Sequence, residues 1–500
     1  MFTDLLKIKG LGSLLRSAWT WRLVRAVFLL LMLAMIAFGW HHHAIPGVEV
    51  PDPLMYLNFA THFFWVLWIM IIVVVALLFG RAWCTVCPLG WLNGLVSRFG
   101  LGASIPRWLQ GLLPVTLVLI VLQLSVYLFT IHRFPDYTAW LLTVVLILTV
   151  TAGLVFRGRA FCTLLCPAGA LFGLYARVAP FHLRVRESSV CDGCESQACI
   201  ATTPIWNRFA LGPGVFYWRS GRAGCPVDLV PQHLTDSVDC TLCLNCVKQC
   251  DKDNILVGRR SWLADFGSAW MRRGETLFFV VLLGLLTANF SKVYVDLRDL
   301  VFWVPEQTAQ LLGWQVNGFQ FLACVWIALL LPLLLLLPGL ILWRLSETQT
   351  GGEAPPVDGE PVAETEVRGD HTGFGRRLGA LALPLIPLLL AVHLILAVVK
   401  LNAKIGYLPL VLQDPSGVRS YLALNVMQTI TPPGVLVTLD ILKWLVSLIL
   451  LAGFSLSIVA ARRCCNTLGV DRGYLFGVIV SALIVGGMTG ATIFEWLFVR

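Results

Sequence analysis

The sequence predicts a mainly α-helical, polytopic membrane protein of about nine spans, with a cysteine-rich segment inserted between two of them. Composition is the first observation behind this fold class. The 500-residue chain is 58% hydrophobic and only 13% charged, whereas soluble domains carry about 25% charged residues. The second observation is that apolar residues gather in runs of about 20, the length at which a helix crosses a bilayer. The composition therefore excludes an ordinary soluble protein.

Nine apolar runs are long enough to be predicted as spans. They lie at about residues 23–40, 59–80, 111–131, 138–156, 275–291, 319–343, 378–400, 435–460 and 474–498. No small-residue cleavage site follows the first run. We therefore expect it to stay in place as a membrane anchor rather than to be removed as a signal peptide.

The basic residues of the loops predict the orientation of the chain, because Lys and Arg are retained on the cytoplasmic side. They gather in the N-terminal segment, in the loop at 81–107, in the segment 157–273 and in the loop at 462–472. The predicted orientation in a bacterial inner membrane has the N-terminus and the cysteine-rich segment in the cytoplasm and the C-terminus in the periplasm. The net charge of +9 reflects this topology and does not indicate nucleic-acid binding.

Eight cysteines occur between residues 191 and 250. The last four, in CTLCLNCVKQC, have the C-x2-C-x2-C-x3-C spacing of a bacterial ferredoxin, in which the fourth cysteine binds the neighbouring [4Fe–4S] cluster. The predicted ligands are Cys191, Cys194, Cys199 and Cys250 for the first cluster and Cys225, Cys240, Cys243 and Cys246 for the second. Two alternatives stay open, since the same thiolates suit two tetrahedral zinc sites or a disulfide framework.

The first half of this segment departs from the ferredoxin spacing. Four residues rather than two precede Cys199, a long insert precedes Cys225, and Asp251 rather than proline follows the last cysteine. The insert contains the run FYWRSGRAGCP. Three interpretations of this run stay open: a contact with a partner protein, a shield over a cluster, and a solvated loop.

An internal repeat precedes the cysteine-rich segment. Residues 81–98 read RAWCTVCPLGWLNGLVSR, and residues 159–177 read RAFCTLLCPAGALFGLYAR. Each copy follows an even-numbered span, so both copies emerge on one face of the membrane, and in each a proline starts a short helix. The cysteines expected to converge are Cys84, Cys87, Cys162 and Cys166. They suit a third iron–sulfur cluster or redox-active thiols, while the alternative is that they are small buried apolar residues.

Two Cys-x2/3-Cys-Pro motifs after spans, followed by a two-cluster ferredoxin segment, resemble the membrane-bound polyferredoxins of the NosR and NapH type. The resemblance covers about residues 59–260. It implies an iron–sulfur membrane protein that passes electrons between the quinone pool or a cytoplasmic donor and a partner oxidoreductase on the periplasmic side. It also implies that the repeat cysteines are membrane-face motif residues and that the later eight are cluster ligands.

No catalytic nucleophile or acid–base constellation stands out in the sequence. We therefore expect an electron-transfer subunit of an oxidoreductase system rather than a complete enzyme. The alternative function is a cluster-based redox sensor, or a factor for the assembly or maturation of a metal centre in the membrane.

Three histidines fall in or beside spans, towards the predicted outer half of the membrane: His62, His132 and His393. Ionisable groups inside a membrane are functional hypotheses by default, so these residues are candidates for a haem or quinone site. The alternative is that they are interfacial or internally hydrogen-bonded histidines. No Cys-x-x-Cys-His motif occurs, so c-type haem attachment is not indicated.

The expected organisation of the chain has five parts. They are a four-span region over 1–180, a ferredoxin-like domain over 181–260, a two-span region over 261–345, a linker over 346–376 and a three-span region over 377–500. The linker is expected to be flexible because its composition is polar and poor in large apolar residues.

Overall fold

The computed structural model describes residues 3–201, 203–211, 214–222, 224–267, 271–292, 294–350, 373–468 and 472–499. Contacts divide the chain into two compact units. The first comprises Met1–Val118, Phe129–Trp262 and Lys400–Leu436, and the second comprises Leu119–Leu128, Leu263–Val399 and Val437–Arg500. The five-part organisation stays a prediction.

The predicted fold class is confirmed: the chain is mainly helical and polytopic. Among the described residues, eight helices are long and apolar enough to cross a membrane. They are Ala18–Gly39, Phe59–Val96, Pro135–Val155, Arg273–Ser291, Gly318–Ser346, Phe374–Gln413, Leu439–Asn466 and Arg472–Val499. The third predicted span is a shorter apolar helix, Leu113–Phe129, of 17 residues, which at 1.5 Å per residue is about 26 Å long. This length is at the lower limit for a span.

The helical stretch Phe59–Val96 changes character along its length. It begins with Phe59–Thr61, continues through a π-helical turn, His62–Trp68, and then runs as an α-helix over Ile69–Phe79. Shorter pieces follow at Gly80–Ala82, Trp83–Val86 and Pro88–Val96. Single π-helical turns often occur at functional sites because they redirect side chains.

The second Cys-Pro motif and the N-terminal segment add further short helices to the first unit. After the span Pro135–Val155 come Ala160–Leu164 and Pro167–Ala176. Further helices of this unit are Leu5–Lys7, Leu11–Arg16, Arg107–Leu109, Ser188–Asp192, Pro231–His233, Asn245–Gln249, Ile405–Tyr407, Leu408–Gln413, Val418–Tyr421 and Leu422–Val426.

A small antiparallel sheet supports the cysteine-rich segment. Strand β1 (Thr3–Asp4) and strand β2 (Phe181–Val185) both pair with strand β5 (Ile255–Arg259), which lies between them. The apolar core under this sheet consists of Leu6, Leu183, Leu242, Leu244, Val247, Ile255 and Val257. Because several core residues alternate with the cysteines of the ferredoxin loop, the sheet fixes the position of that loop.

A separate two-stranded hairpin lies between Cys199 and Cys225. Strand β3 (Thr203–Leu211) pairs antiparallel with strand β4 (Gly214–Arg222). The sequence run FYWRSGRAGCP therefore falls largely in a strand rather than in a loop.

The second unit is a helical bundle. Its helices after the first span, Arg273–Ser291, are Val295–Leu311, Val316–Val325, Trp326–Leu330, Leu331–Thr350, Phe374–Ala382, Leu383–Leu385, Ile386–Lys404, Leu439–Leu468, Arg472–Phe494 and Glu495–Val499. A Cβ added at Gly339 would collide with the carbonyl oxygen of Gly477. The small residues therefore allow two helices to approach closely, as is usual in membrane bundles.

The predicted linker lies mostly outside the described residues, since 351–372 are not among them. Its first residues differ from the prediction, because the helix Leu331–Thr350 continues to Thr350. The next helix begins at Phe374.

Candidate iron–sulfur centres

The two Cys-Pro motifs have similar backbone geometry. Each span ends before a glycine with positive φ: Gly80 at +57° and Gly158 at +73°. Glycine adopts this conformation without the cost that a Cβ imposes, and it commonly ends helices. A short helix then carries the first cysteine of the motif, and a proline starts the second helix. The local sequence thus turns the chain sharply at the end of each span.

The second cysteine of each motif is the residue before that proline. Cys87 and Cys166 are the N-cap residues of the helices Pro88–Val96 and Pro167–Ala176. The backbone N–H of Gly169 donates a hydrogen bond to Cys166 Sγ at 3.3 Å. The N-terminus of a helix favours a negative group, so this position suits a thiolate.

Two buried arginines connect the motifs, and each lies against the helix of the other copy. Arg159 Nη1 donates a hydrogen bond to the carbonyl oxygen of Cys84 at 3.3 Å, and it lies 3.6 Å from a Cβ built at Gly90. Arg81 Nη2 lies 3.6 Å from a Cβ built at Gly169. Both arginines are 7% exposed. Because these glycines have no side chain, the guanidinium group of each arginine can lie against the helix of the other copy.

The four motif cysteines form one group. Burial, together with the nearby thiols of Cys87 and Cys84, raises the pKa of Cys166 to about 12. Burial also raises the pKa of Cys162 well above its ordinary value, followed by the effect of Cys166. A Cβ built at Gly90 would lie 3.1 Å from Cys162 Sγ. The expected convergence of these cysteines is therefore present in the structure.

The second predicted ferredoxin set lines a cavity. All four thiols of the set contribute to the wall of this partly open cavity: Cys225, Cys240, Cys243 and Cys246. The other lining side chains are mostly apolar, among them Leu183, Val227 and Leu229. Burial raises the pKa of Cys240 to about 12, and Cys243 and Cys225 add to the rise. Neutral thiols are thus favoured until iron replaces their protons.

The first predicted ferredoxin set is closer to solvent. Burial raises the pKa of Cys199, and the thiols of Cys250, Cys191 and Cys194 raise it further, so these four side chains are neighbours. Asn254 Nδ2 donates to Cys191 Sγ at 3.3 Å, and the backbone N–H of Asn254 donates to Cys250 Sγ at 3.3 Å. Such hydrogen bonds tune the reduction potential of an iron–sulfur cluster.

The repeats hold the ferredoxin loop directly. Thr85 Oγ1 donates to the carbonyl oxygen of Leu242 at 2.6 Å, and Arg81 donates to the carbonyl oxygen of Val238. From the other copy, the backbone N–H of Arg159 donates to the carbonyl oxygen of Pro226 at 2.9 Å. The contacts fix the chain on either side of Cys240 and directly after Cys225. The second ferredoxin set therefore lies next to the motif cysteines.

The donor chemistry fits iron–sulfur clusters. In the described part of the chain, no group of three or more His, Cys, Asp and Glu side chains is arranged to hold a single metal ion. A tetrahedral zinc ion has Zn–S bonds of about 2.3 Å and so brings its sulfur ligands to about 3.8 Å from one another. The thiolates of a four-iron cluster each bind a different iron and stand farther apart. Cysteine thiolates are the usual ligands of such clusters, and one of the predicted sets lines a cavity.

Two of the histidine candidates, His62 and His132, lie in the first unit. His62 is fully buried, and its Nδ1 lies 2.9 Å from the carbonyl oxygen of Tyr56. Its Nε2 has no hydrogen-bond partner among the described residues. The ring of Trp65 meets that of His132 edge-on, with centroids 6.1 Å apart. His62 is thus part of the π-helical turn His62–Trp68, and His132 contacts Trp65 of the same turn. His393 belongs to the second unit.

Several residues at the candidate centres are ones that the sequence reasoning did not single out. They are Arg81, Thr85, Arg159 and Asn254, with the glycines at positions 80, 90, 158 and 169. Some of them could have been identified from the sequence, because the pattern Gly-Arg-Ala-aromatic-Cys occurs in both copies of the repeat. Asn254 had no such signal, since it follows the ferredoxin spacing without being part of it.

Comparison with known proteins identifies the repeat region. The family described as "4Fe-4S binding domain" matches residues 61–116 and 138–186, and each range contains one span and the Cys-Pro motif that follows it. No solved structure matches the chain.

Two relatives match part of the chain. One, from Escherichia coli K12, is named "Putative electron transport protein YccM" and is 28% identical over 209 residues, which are 36% of this chain and 51% of that protein. An uncharacterised protein of Methanocaldococcus jannaschii is 24% identical over 192 residues, 37% of this chain and 66% of that protein. The chain thus spans about half of one relative and just under two thirds of the other. The resemblance to membrane-bound 4Fe–4S ferredoxin proteins that the cysteine motifs indicate is confirmed.

Proposed function

We propose that this iron–sulfur electron-transfer protein carries three clusters and passes electrons between the quinone pool or a cytoplasmic donor and a partner oxidoreductase on the periplasmic side. The proposed ligand sets are Cys191, Cys194, Cys199 and Cys250; Cys225, Cys240, Cys243 and Cys246; and Cys84, Cys87, Cys162 and Cys166. The membrane is the bacterial inner membrane, with the N-terminus and the ferredoxin segment in the cytoplasm and the C-terminus in the periplasm.

The contact between the repeats and the ferredoxin loop is the observation that carries this proposal. Thr85 and Arg81 each hydrogen-bond the chain beside Cys240, and Arg159 holds the chain after Cys225. Electron transfer needs centres that stay close and keep their positions. Direct backbone contacts between two thiol groups provide both conditions.

Clusters supply one-electron exchange, while the protein supplies their position and reduction potential. In this chain, mostly apolar side chains line the cavity at the second ferredoxin set. Asn254 hydrogen-bonds two sulfur atoms of the first set. Arg81 and Arg159 bring positive charge to the motif cysteines, which favours the more negative, reduced form of a centre there.

The third cluster has a separate line of support. The matched 4Fe-4S binding domain covers the two repeats and ends before Cys191, so the matched residues include the motif cysteines but not the ferredoxin set. The alternative stays a redox-active group of thiols without iron. The third cluster and the redox-active thiols would involve the same four cysteines, and the iron content of the protein distinguishes the two interpretations.

All three thiol sets belong to one end of the spans, so electrons bound for the other side need a further stop. His62 lies 17 residues before Phe79, the last residue of the helix that precedes the first Cys-Pro motif, about 26 Å away at 1.5 Å per residue. A hydrocarbon core is about 30 Å thick. We propose that His62 and His132 contribute to a quinone or haem site at that distant end, with His393 a further candidate in the second unit.

Reduction by a quinol tests this function. The anaerobically purified protein, reconstituted in nanodiscs, is mixed with a menaquinol analogue or with dithionite, and cluster bleaching is followed by absorbance. Reversible bleaching by both reductants is expected. The His62→Gln variant should keep the dithionite reaction and lose the quinol reaction, whereas the exposed His233→Gln control should keep both.

A different outcome would favour the alternative function. If the clusters cannot be cycled reversibly, and their loss in air changes which proteins copurify with the chain, the protein acts as a redox sensor or a factor for metal-centre assembly. If both variants react alike with the quinol, His62 has no part in quinol oxidation.

A further inference from the structure

The helix that follows the first Cys-Pro motif, Pro88–Val96, packs beside the span Pro135–Val155. Asn93 Nδ2 donates a hydrogen bond to the carbonyl oxygen of Thr149 at 2.8 Å, and a Cβ built at Gly153 would lie 2.8 Å from the carbonyl oxygen of Asn93. One turn closer to the cysteines, a leucine packs against a buried core in the middle of the spans. That leucine is Leu89, and the core consists of Met32, Met35, Phe59, Ala60, Leu142 and Val411.

The helix runs outwards from this core, in the same direction as the span beside it. After the helix, the backbone N–H of Leu101 donates to the carbonyl oxygen of Leu154, in the last turn of the span, at 2.7 Å. At 1.5 Å per residue, Asn93 lies about 6 Å inside the end of the span, and Cys87, six residues earlier, lies up to about 9 Å deeper. Cys87 is therefore recessed by up to about half of a hydrocarbon core, which is about 30 Å thick.

The second motif has the same arrangement. Its helix, Pro167–Ala176, ends beside Gly80, where an added Cβ would lie 3.2 Å from the Cβ of Ala176. Gly80 directly follows the last residue of a spanning helix. Cys166 lies at the opposite end of Pro167–Ala176, close enough to the recessed Cys87 to interact with it electrostatically. Both motifs are therefore re-entrant: each turns back from the end of a span and carries its cysteines below that end.

A row of aromatic rings begins at the first motif. The ring of Trp83, the residue before the first cysteine, lies 6.2 Å from that of Trp68 between centroids. Trp68 stacks on Phe64 at 5.1 Å, and Phe64 meets Trp65 edge-on at 4.9 Å. The last step, from Trp65 to His132, is 6.1 Å. Each separation is that of two aromatic side chains in contact, so the row is continuous.

The backbone explains how this row forms. Three of its rings belong to the π-helical turn His62–Trp68, and such turns occur frequently at functional sites. Trp83 reaches Trp68 because the chain turns back after Gly80, which has a φ of +57°. The row therefore depends on the re-entrant motif at one end and leads to the histidine candidates at the other.

We propose that the two re-entrant motifs hold their centre within the membrane and that the row from Trp83 to His132 is the path for electrons between this centre and the outer histidines. The inference rests on the proposed function, because it needs a cluster at the motif cysteines. One electron leaves the reduced cluster, which is thereby oxidised, and reduces a quinone or haem at the outer end. The rings are neither oxidised nor reduced. They provide the packed medium through which the electron tunnels, and tunnelling slows steeply where atoms are missing from the path.

The depth of the centre can be measured by EPR in nanodiscs. Anaerobically purified, dithionite-reduced protein is mixed with a water-soluble dysprosium chelate, which speeds the relaxation of clusters near water. The component that is absent in the Cys84→Ala variant should relax only slightly faster. The first ferredoxin set, which is closer to solvent, should relax much faster. Equal enhancement of the two components would overturn the re-entrant placement.

A photosensitiser at the outer end tests the path. A ruthenium complex is attached through p-azidophenylalanine at position 133, which is exposed and follows His132. A laser flash with a sacrificial donor reduces the complex, which then passes one electron to the oxidised cluster. Trp68→Leu should slow the reduction of the third centre several-fold, whereas Trp68→Phe, which keeps a ring, should stay close to the unchanged rate. Trp140→Leu is the matched control, because Trp140 is 55% exposed and packs on Trp40 instead.

Iron content and the EPR spectrum of each dithionite-reduced variant establish that the cluster is intact. If Trp68→Leu loses the cluster, Trp65→Leu interrupts the same row nearer the outer end and should slow the reaction similarly. Equal rates in the row variants, the control and the unchanged protein, with about twelve iron atoms in each, would overturn the path alone. About eight iron atoms in the unchanged protein would contradict the third cluster of the proposed function, and the path with it.

Discussion

Arg159 donates a hydrogen bond through Nη1 to the backbone carbonyl oxygen of Cys84, 3.3 Å away. The second copy of the repeat thereby holds the first cysteine of the first copy. Arg81 crosses in the opposite direction and lies against Gly169 and Gly173. The two copies are therefore linked by charged side chains.

Removing the Arg159 side chain should separate the two motifs. The Arg159→Ala variant leaves a buried carbonyl oxygen without this donor, at a cost of about 1–3 kcal/mol. Thermal unfolding in detergent should begin at a lower temperature, and the signal of the proposed third centre should disappear first. Arg157→Ala is the matched control, because Arg157 pairs with Asp228 at the surface and exposed pairs contribute about 0–1 kcal/mol.

Equal unfolding temperatures for the two variants would show that the hydrogen bond from Arg159 to the Cys84 carbonyl oxygen does not contribute to stability. Arg159→Lys separates charge from geometry, since lysine keeps the charge but lacks the planar fork of arginine. It should restore stability only in part.

Arg81 should raise the reduction potential of the centre at Cys84. Its guanidinium lies close enough to the Cys84 and Cys240 side chains to interact with them electrostatically. A positive charge favours the reduced form, so Arg81→Gln should lower the potential. A loss of about 1.4 kcal/mol corresponds to about 60 mV for a one-electron couple. Potentiometric titration followed by EPR measures the shift.

The same titration contains an internal control. The first ferredoxin set, at Cys191 and its partners, is not among the groups with the largest effect on Arg81, so its potential should shift less. A uniform shift of every component would instead indicate a general change in the protein.

Two glycines of one helix should respond differently to alanine. A Cβ at Gly90 would lie 3.1 Å from Cys162 Sγ, whereas the nearest atom to a Cβ at Gly94 is Arg159 Cγ at 3.9 Å. Gly90→Ala should therefore displace Cys162 and weaken or broaden the signal of the third centre. Gly94→Ala should keep that signal and stabilise the helix by up to about 1 kcal/mol. Equal spectra for the two variants would contradict the packing of Gly90 against Cys162.

Acid should weaken the sheet beneath the ferredoxin loop. Burial, with Arg260 and Arg184 nearby, lowers the pKa of His182 from 6.5 to about 3. The unfolded chain therefore binds a proton below pH 6.5 that the folded chain does not bind above pH 3. Stability falls as the pH falls through this window, by about 2 kcal/mol between pH 7 and pH 5.

Hydrogen exchange of Phe181–Val185 at both pH values measures this effect. The His182→Gln variant should lose much of the difference between pH 7 and pH 5. The His233→Gln control should retain it, since His233 is exposed. An unchanged pH dependence in His182→Gln would assign the acid sensitivity to other groups, such as the thiolates.

The grouping of the cysteines could be predicted because it depends on local spacing and on the repeat. The spacing of Cys240, Cys243 and Cys246 puts three thiols on one loop, and two similar hairpins bring Cys84 and Cys162 to the same face. The spans were predictable from their apolar length, except that Leu113–Phe129 is shorter than expected. Both features are encoded within short stretches of sequence.

Features that depend on tertiary packing could not be predicted. The repeat contains Arg81 and Arg159, but a repeat does not reveal that each side chain crosses to the other copy. The hairpin was missed because its glycines and Pro213 resemble a loop, while its strands are identified only by their mutual pairing. The continuation of the helix to Thr350 was missed because a polar composition alone does not end a helix.

Iron and acid-labile sulfide per polypeptide, with EPR of the dithionite-reduced sample, test the central claim most directly. Anaerobically purified protein should contain about twelve iron atoms, four for each of three clusters. The Cys84→Ala variant should lose about four of them together with one spectral component. About eight iron atoms in both proteins would contradict the third cluster and leave redox-active thiols at the repeat. Zinc in place of iron would contradict electron transfer by this chain.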